Sequence, residues 1–74
     1  MAETNVTSEL NAMVRKLEVA AGDEVGPGDT LLLLECMKME IPVFAPRGGR
    51  VKAILVEEGA IIAEGQMLAV IEGT

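Results

Sequence analysis

Apolar residues in this chain fall in short runs separated by glycine. Valine, isoleucine and leucine dominate residues 13–19, 30–35, 49–56 and 67–71, the composition expected of strands. Glycine turns punctuate them at Gly22, Gly26-Pro27-Gly28, Gly59 and Gly65. A helix through Gly26-Pro27-Gly28 would be broken there. No long segment carries a helical period. The pattern predicts an all-β chain of short strands. Residues 31–34 are four leucines in a row. Because they do not alternate, the expectation is a strand partly covered on both faces.

The pattern also repeats. A shift of 37 places lays Val14 on Val51, Val19 on Val56, Gly22 on Gly59, Gly28 on Gly65, Leu31 on Leu68 and Glu35 on Glu72. Arg15/Lys52, Leu17/Ile54, Val25/Ile62, Leu33/Val70 and Leu34/Ile71 are similar pairs under the same shift. The glycines keep register with the apolar positions, as a duplicated structural unit requires. Two copies would close around one shared interior, as two layers or a flattened barrel. If a two-fold axis relates them, the mate of the segment around Lys38 is the place where the chain ends meet.

That segment is the anomaly. Between the strand ending at Glu35 and the next, starting near Met39, the chain must reverse. Tight hairpins favour Asn-Gly, Asp-Gly or paired glycine, because the central residues often need positive φ. Glycine serves at the other turns, yet here a lysine stands between Met37 and Met39, flanked by Glu35 and Glu40. A lone lysine on a turn is commonly a solvated charge, and methionine is commonly core filler. An apolar tip that breaks local turn chemistry without structural gain points to function instead.

Composition narrows the chemistry. At 74 residues the chain is one small domain. One cysteine excludes an internal disulfide, and the absence of histidine excludes Ser-His-Asp or Cys-His catalysis and leaves no ligand set for a structural zinc. A net charge of −6 and a single aromatic residue, Phe44, argue against nucleic acid. The longest aliphatic run is far too short to span a bilayer, and residues 1–10 carry no basic segment leading an apolar one. The expectation is a cytoplasmic, reducing setting with no membrane partner.

Glu35-Cys36-Met37-Lys38-Met39-Glu40 resembles the attachment signature of the biotinyl/lipoyl attachment family. The similarity runs from about Val6 to Glu72. It takes in Gly22-Asp23-Glu24-Val25, Gly28, Ile41-Pro42, Ala45-Pro46, Gly49 and Glu57-Glu58-Gly59. In length the chain is similar to the short stand-alone biotinylated proteins of that family. The resemblance implies a flattened barrel of two four-stranded antiparallel sheets with a pseudo-two-fold repeat. The copies align without a gap, so no thumb loop is expected. Residues 1–5 are expected to be a flexible N-terminus and residues 6–74 a single carrier domain.

The resemblance further implies a biotin carboxyl carrier, not an enzyme in its own right and without catalytic or metal-binding residues. Lys38 would hold covalent biotin through an amide at its ε-nitrogen. Met37 and Met39 would be the flanking residues read by a biotin protein ligase, and Glu35 matches an acidic position common before the signature. The expected partners are that ligase, a biotin carboxylase and a carboxyltransferase; in isolation the chain is expected to be a monomer. Acylation needs a neutral amine, so the ligase must supply a base or a desolvated setting.

The chain departs from the family pattern in places. Ser8-Glu9-Leu10-Asn11-Ala12 stands where the second copy has Ala45-Pro46-Arg47-Gly48-Gly49, which leaves the first copy's local backbone open. Ala60 replaces an acidic residue common in the family after the glycine that here is Gly59. Cys36 replaces a small residue, usually alanine, and is read as a buried small side chain more than an exposed thiol. Two other readings stand beside the carrier. One is a lipoyl or dual biotin/lipoyl attachment protein, against which Met37 and Met39 argue. The other is an unmodified module presenting its Met-Lys-Met tip to a protein partner.

Overall fold

A computed structural model describes residues 2–73. Eight strands follow in order: β1 (Glu3–Thr7), β2 (Ala12–Leu17), β3 (Glu24–Val25), β4 (Thr30–Cys36), β5 (Met39–Phe44), β6 (Gly49–Ile54), β7 (Ile61–Ile62) and β8 (Met67–Glu72). They form two four-stranded antiparallel sheets, β1-β8-β6-β3 and β5-β4-β2-β7. The all-β expectation and the two-sheet architecture hold.

The duplication is visible bond by bond. In β2 and β4, Met13 faces Glu35, Val14 faces Leu34, Lys16 faces Leu33 and Leu17 faces Leu32. In β6 and β8, Arg50 faces Glu72, Val51 faces Ile71, Ala53 faces Val70 and Ile54 faces Ala69. Every pair of the second set is its counterpart in the first moved by the sequence shift. The turns obey it as well. Gly22 N–H donates to the Val51 carbonyl and Gly59 N–H to the Val14 carbonyl, both at 2.7 Å. One set of apolar side chains lies between the sheets, with Val14, Leu31, Leu32, Leu34, Val51, Ile62, Leu68 and Ile71 all but fully buried. Each such side chain stabilises the fold by about 1.5–3 kcal/mol through removal from water.

Two expectations need correction. The flexible N-terminus over residues 1–5 does not hold for residues 3–5, which open β1 and pair with β8, Glu3 against Glu72 (Met1 lies outside the described residues). Those residues are polar and carry no strand pattern; the free edge of β8 supplies their backbone partners. The run 31–34 is not buried by cover on both faces. The register of β4 against β5 skips between Thr30 and Leu32, a bulge that turns Leu31 and Leu32 both inward. β8 repeats the device, with a skip between Val6 and Thr7 of β1 and with Leu68 and Ala69 both buried.

The irregular segment of the first copy keeps the same backbone path by other means. Ser8 is buried, and its hydroxyl donates to the Leu10 carbonyl at 2.6 Å while accepting the Leu10 N–H at 3.3 Å. That local turn stands where the second copy uses proline and glycine. The Ser8 carbonyl still accepts from Gly65, as the Ala45 carbonyl accepts from Gly28. At the other departure the loss is plain. Asp23 accepts the Ala20 N–H through its carboxylate at 2.9 Å, and Ala60, its counterpart, has no side chain to do so.

Candidate functional site

The hairpin of β4 and β5 closes with Cys36 facing Met39, so that Met37 and Lys38 alone make the turn. Both have positive φ, 53° and 67°. This is the backbone a two-residue hairpin demands and that glycine or asparagine adopts most easily. Every other positive-φ residue among those described is a glycine. Holding a side-chain-bearing residue there costs roughly 1–2 kcal/mol. Lysine and methionine therefore occupy the tip against the preference of the backbone. Exchanging the pair for Met37→Asn with Lys38→Gly should stabilise the fold by about 1 kcal/mol or more, raising Tm by roughly 5 °C. A thermal melt checks this, and an unchanged or lower Tm would show the tip to be unstrained.

The tip is an open projection. Met37 is 89% and Met39 64% exposed, and Lys38 is exposed between them. The structure thus brings Met37, Lys38 and Met39 together in water, where no burial gain explains the methionines. A groove of about 470 Å³ runs between edge strands β1 and β5, lined by residues such as Val6, Ile41 and Phe44. Neither Glu35 nor any of the three tip residues lines it. Cys36 is half-buried and free, more accessible than the buried small residue expected from sequence.

Glu35 sits one step below the turn, directly opposite Glu40. Like charges in that cross-strand position repel. Arg15 of β2 resolves the repulsion: its Nη1 lies 3.1 Å from Glu35 Oε1 and its Nε 2.6 Å from Glu40 Oε2. Sequence reasoning missed Arg15. The signal was there in the repeat, where Arg15/Lys52 and Glu35/Glu72 are aligned basic and acidic pairs. Lys52 does the corresponding work in the other sheet, paired with Glu3. Its ammonium is held above the ordinary lysine value, first by the Glu3 hydrogen bond, then by the Glu3 charge, against a small desolvation penalty.

Three lysines are present, and their settings differ. Lys16 lies 3.7 Å from Glu18, and Lys52 is bound to Glu3. Lys38 has no ion pair among the described residues. Among those residues no three His, Cys, Asp or Glu side chains cluster as metal ligands would. The chemistry the site can offer is an exposed primary amine held out on a hairpin tip, with the two nearest carboxylates, Glu35 and Glu40, bound to Arg15. That amine can be acylated by an enzyme that supplies the base.

Comparison with known proteins adds the following. The family model described as "Biotin-requiring enzyme" matches residues 3–71. The chain is 48% identical over 71 residues to the Biotinylated protein TB7.3 homolog of Mycobacterium leprae, covering 96% of this chain and 99% of that one. It is 40% identical over 63 residues to the Biotin/lipoyl attachment protein of Bacillus subtilis, covering 85% and 86% respectively. Among solved structures, the Kluyveromyces lactis urea carboxylase superposes with a TM-score of 0.91 at 33% identity over 97% of this chain. The chain spans nearly all of the short relatives but 6% of that carboxylase.

Proposed function

The chain belongs to the biotin/lipoyl attachment family, and from that premise we propose that it is a biotin carboxyl carrier with biotin on Lys38. The observation that carries the assignment is the tip itself: an exposed lysine with no ion pair among the described residues, at a positive-φ position where the backbone prefers glycine. Biotin is favoured over lipoate. A relative spanning the full chain is named as biotinylated, and the matched solved structure is a carboxylase. In the attachment step the neutral Nζ of Lys38 attacks an activated biotinyl carbonyl. The amide N–C bond forms, the activating group leaves and the amine's proton passes to a base on the ligase. Met37 and Met39 give that ligase an apolar surface on either side of the amine.

Once attached, biotin supplies a ureido nitrogen on which a carboxyl group is carried. The chain itself is not catalytic; its part is to hold the tether on a projecting hairpin. Biotin carboxylase and carboxyltransferase then meet the group at an effective concentration of roughly millimolar for a short flexible tether. The net charge of −6 favours docking on basic partner rims. The test uses biotinylated protein with a biotin carboxylase, ATP and isotopically labelled bicarbonate. Label should appear on the carrier and leave it when carboxyltransferase and an acyl-CoA acceptor are added. Biotinylated protein that takes no label from an active biotin carboxylase would contradict the shuttle.

A further inference from the structure

We propose that Arg15 is a positioning residue for Lys38: it binds Glu35 and Glu40, the two carboxylates flanking the turn, and so keeps them from pairing with the Lys38 ammonium. The inference rests on reading Lys38 as the acylated residue. Glu35 and Glu40 face one another across the hairpin base, each two places from the nearer turn residue. Left alone, either could fold toward the amine, and an opposite charge nearby favours the protonated, unreactive form. Arg15 occupies the position where the register of β2 against β4 skips between Val14 and Lys16. From that bulge its guanidinium crosses β4 and reaches β5. Two of its nitrogens serve two different carboxylates, at 3.1 and 2.6 Å.

The second copy of the repeat is a built-in comparison. Lys52 occupies the matching bulge in β6, where the register skips between Val51 and Ala53. It pairs with Glu3, the counterpart of Glu40, beside Glu72, the counterpart of Glu35. Both halves therefore need a cation over two facing glutamates. In the second half Arg50 lies 3.3 Å from Glu72 while Lys52 holds Glu3, so two separate cations serve the two glutamates. In the first half one arginine serves both, and only there does a lysine turn lie beyond them. A guanidinium presents donors to two carboxylates at once, whereas an ammonium is a point charge. The other charged groups on β2 and near β7 are directed elsewhere. Lys16 is turned to Glu18, and Glu58 accepts the Leu17 N–H at 3.0 Å. Cys36 is the remaining titratable group of the hairpin.

The test reads the amine directly, with N-hydroxysuccinimidyl acetate as the probe and peptide mass spectrometry as the readout across a pH series. In Arg15→Met the Lys38 profile should move to higher pH, with acetylation at about pH 7.5 slowed roughly twofold to fivefold. Arg15→Lys should fall between the two and serves if Arg15→Met fails to fold. Adding Glu35→Gln and Glu40→Gln to Arg15→Met should restore the wild-type profile, which a merely structural role would not do. Lys52→Met removes the matching ion pair and should leave the Lys38 profile where it is. An unmoved profile in folded Arg15→Met, equal slowing in Lys52→Met, or no rescue in the triple variant would each overturn the proposal. The probe needs no ligase. A wild-type protein that a ligase cannot biotinylate would sink the carrier reading while this comparison still decides the role of Arg15.

Discussion

Lys38→Arg should abolish biotin incorporation by an active ligase while the protein remains folded. Arginine keeps the charge and the reach but not the nucleophile, because a guanidinium stays protonated in proteins and cannot offer a neutral amine. The fold should be indifferent. Position 38 is exposed, has no ion pair among the described residues, and is strained equally by either long side chain. A change within about 0.5 kcal/mol is expected, as for other surface substitutions. Intact mass after ligase treatment and a thermal melt make the pair of measurements. Biotin on the variant would show that Lys16 or Lys52 is the acceptor. Their ion pairs and strand positions argue against that.

Gly49→Ala should be the most damaging single-methyl change in the chain. Gly49 has φ +154° and faces Val25 at the start of β6. A Cβ there would lie 2.3 Å from the Glu72 carbonyl oxygen and 3.2 Å from the Gly73 Cα. Both are backbone atoms, so no side chain can swing aside. The end of β8 must shift, and β1 is paired to that end through Glu3 and Glu72. Backbone strain alone costs about 1–3 kcal/mol. With the displaced strand the expected loss is about 3 kcal/mol or more, out of the roughly 4–11 kcal/mol available to a chain of this size. In Tm that is a fall of roughly 12 °C or more. A urea or thermal melt reads it, and a loss below about 1 kcal/mol would mean the approach is relieved cheaply. The counterpart in the first copy is Ala12, which faces Ile62 and shows no positive φ. At that point the two halves are not equivalent.

Much of this architecture could be read from the residues. The glycine pairs and the valine, leucine and isoleucine runs are local signals, so the strands from β2, β4, β6 and β8 fall close to where the pattern put them. The internal repeat added the two-fold arrangement, and the missing glycine at the Lys38 turn marked the strained tip. What could not be read depends on partners distant in the chain. β1 forms because β8 has an edge to fill, although Glu3 and Asn5 have little strand character. The bulges at Leu31 and Leu68 are settled by the opposing strands, so a leucine run looked like burial on both faces. The Arg15 clamp joins residues 20 positions apart and needs the bulge in β2 to aim it. Side-chain chemistry at the tip was legible, but the groups holding its neighbours in place were not.

The carrier account is tested most directly by the intact mass of the protein produced with an active biotin ligase, followed by peptide mapping. The account predicts one biotinyl increment, located on the peptide that contains Lys38. Folded protein with no increment beside a working ligase control, or an increment on another lysine, would contradict it.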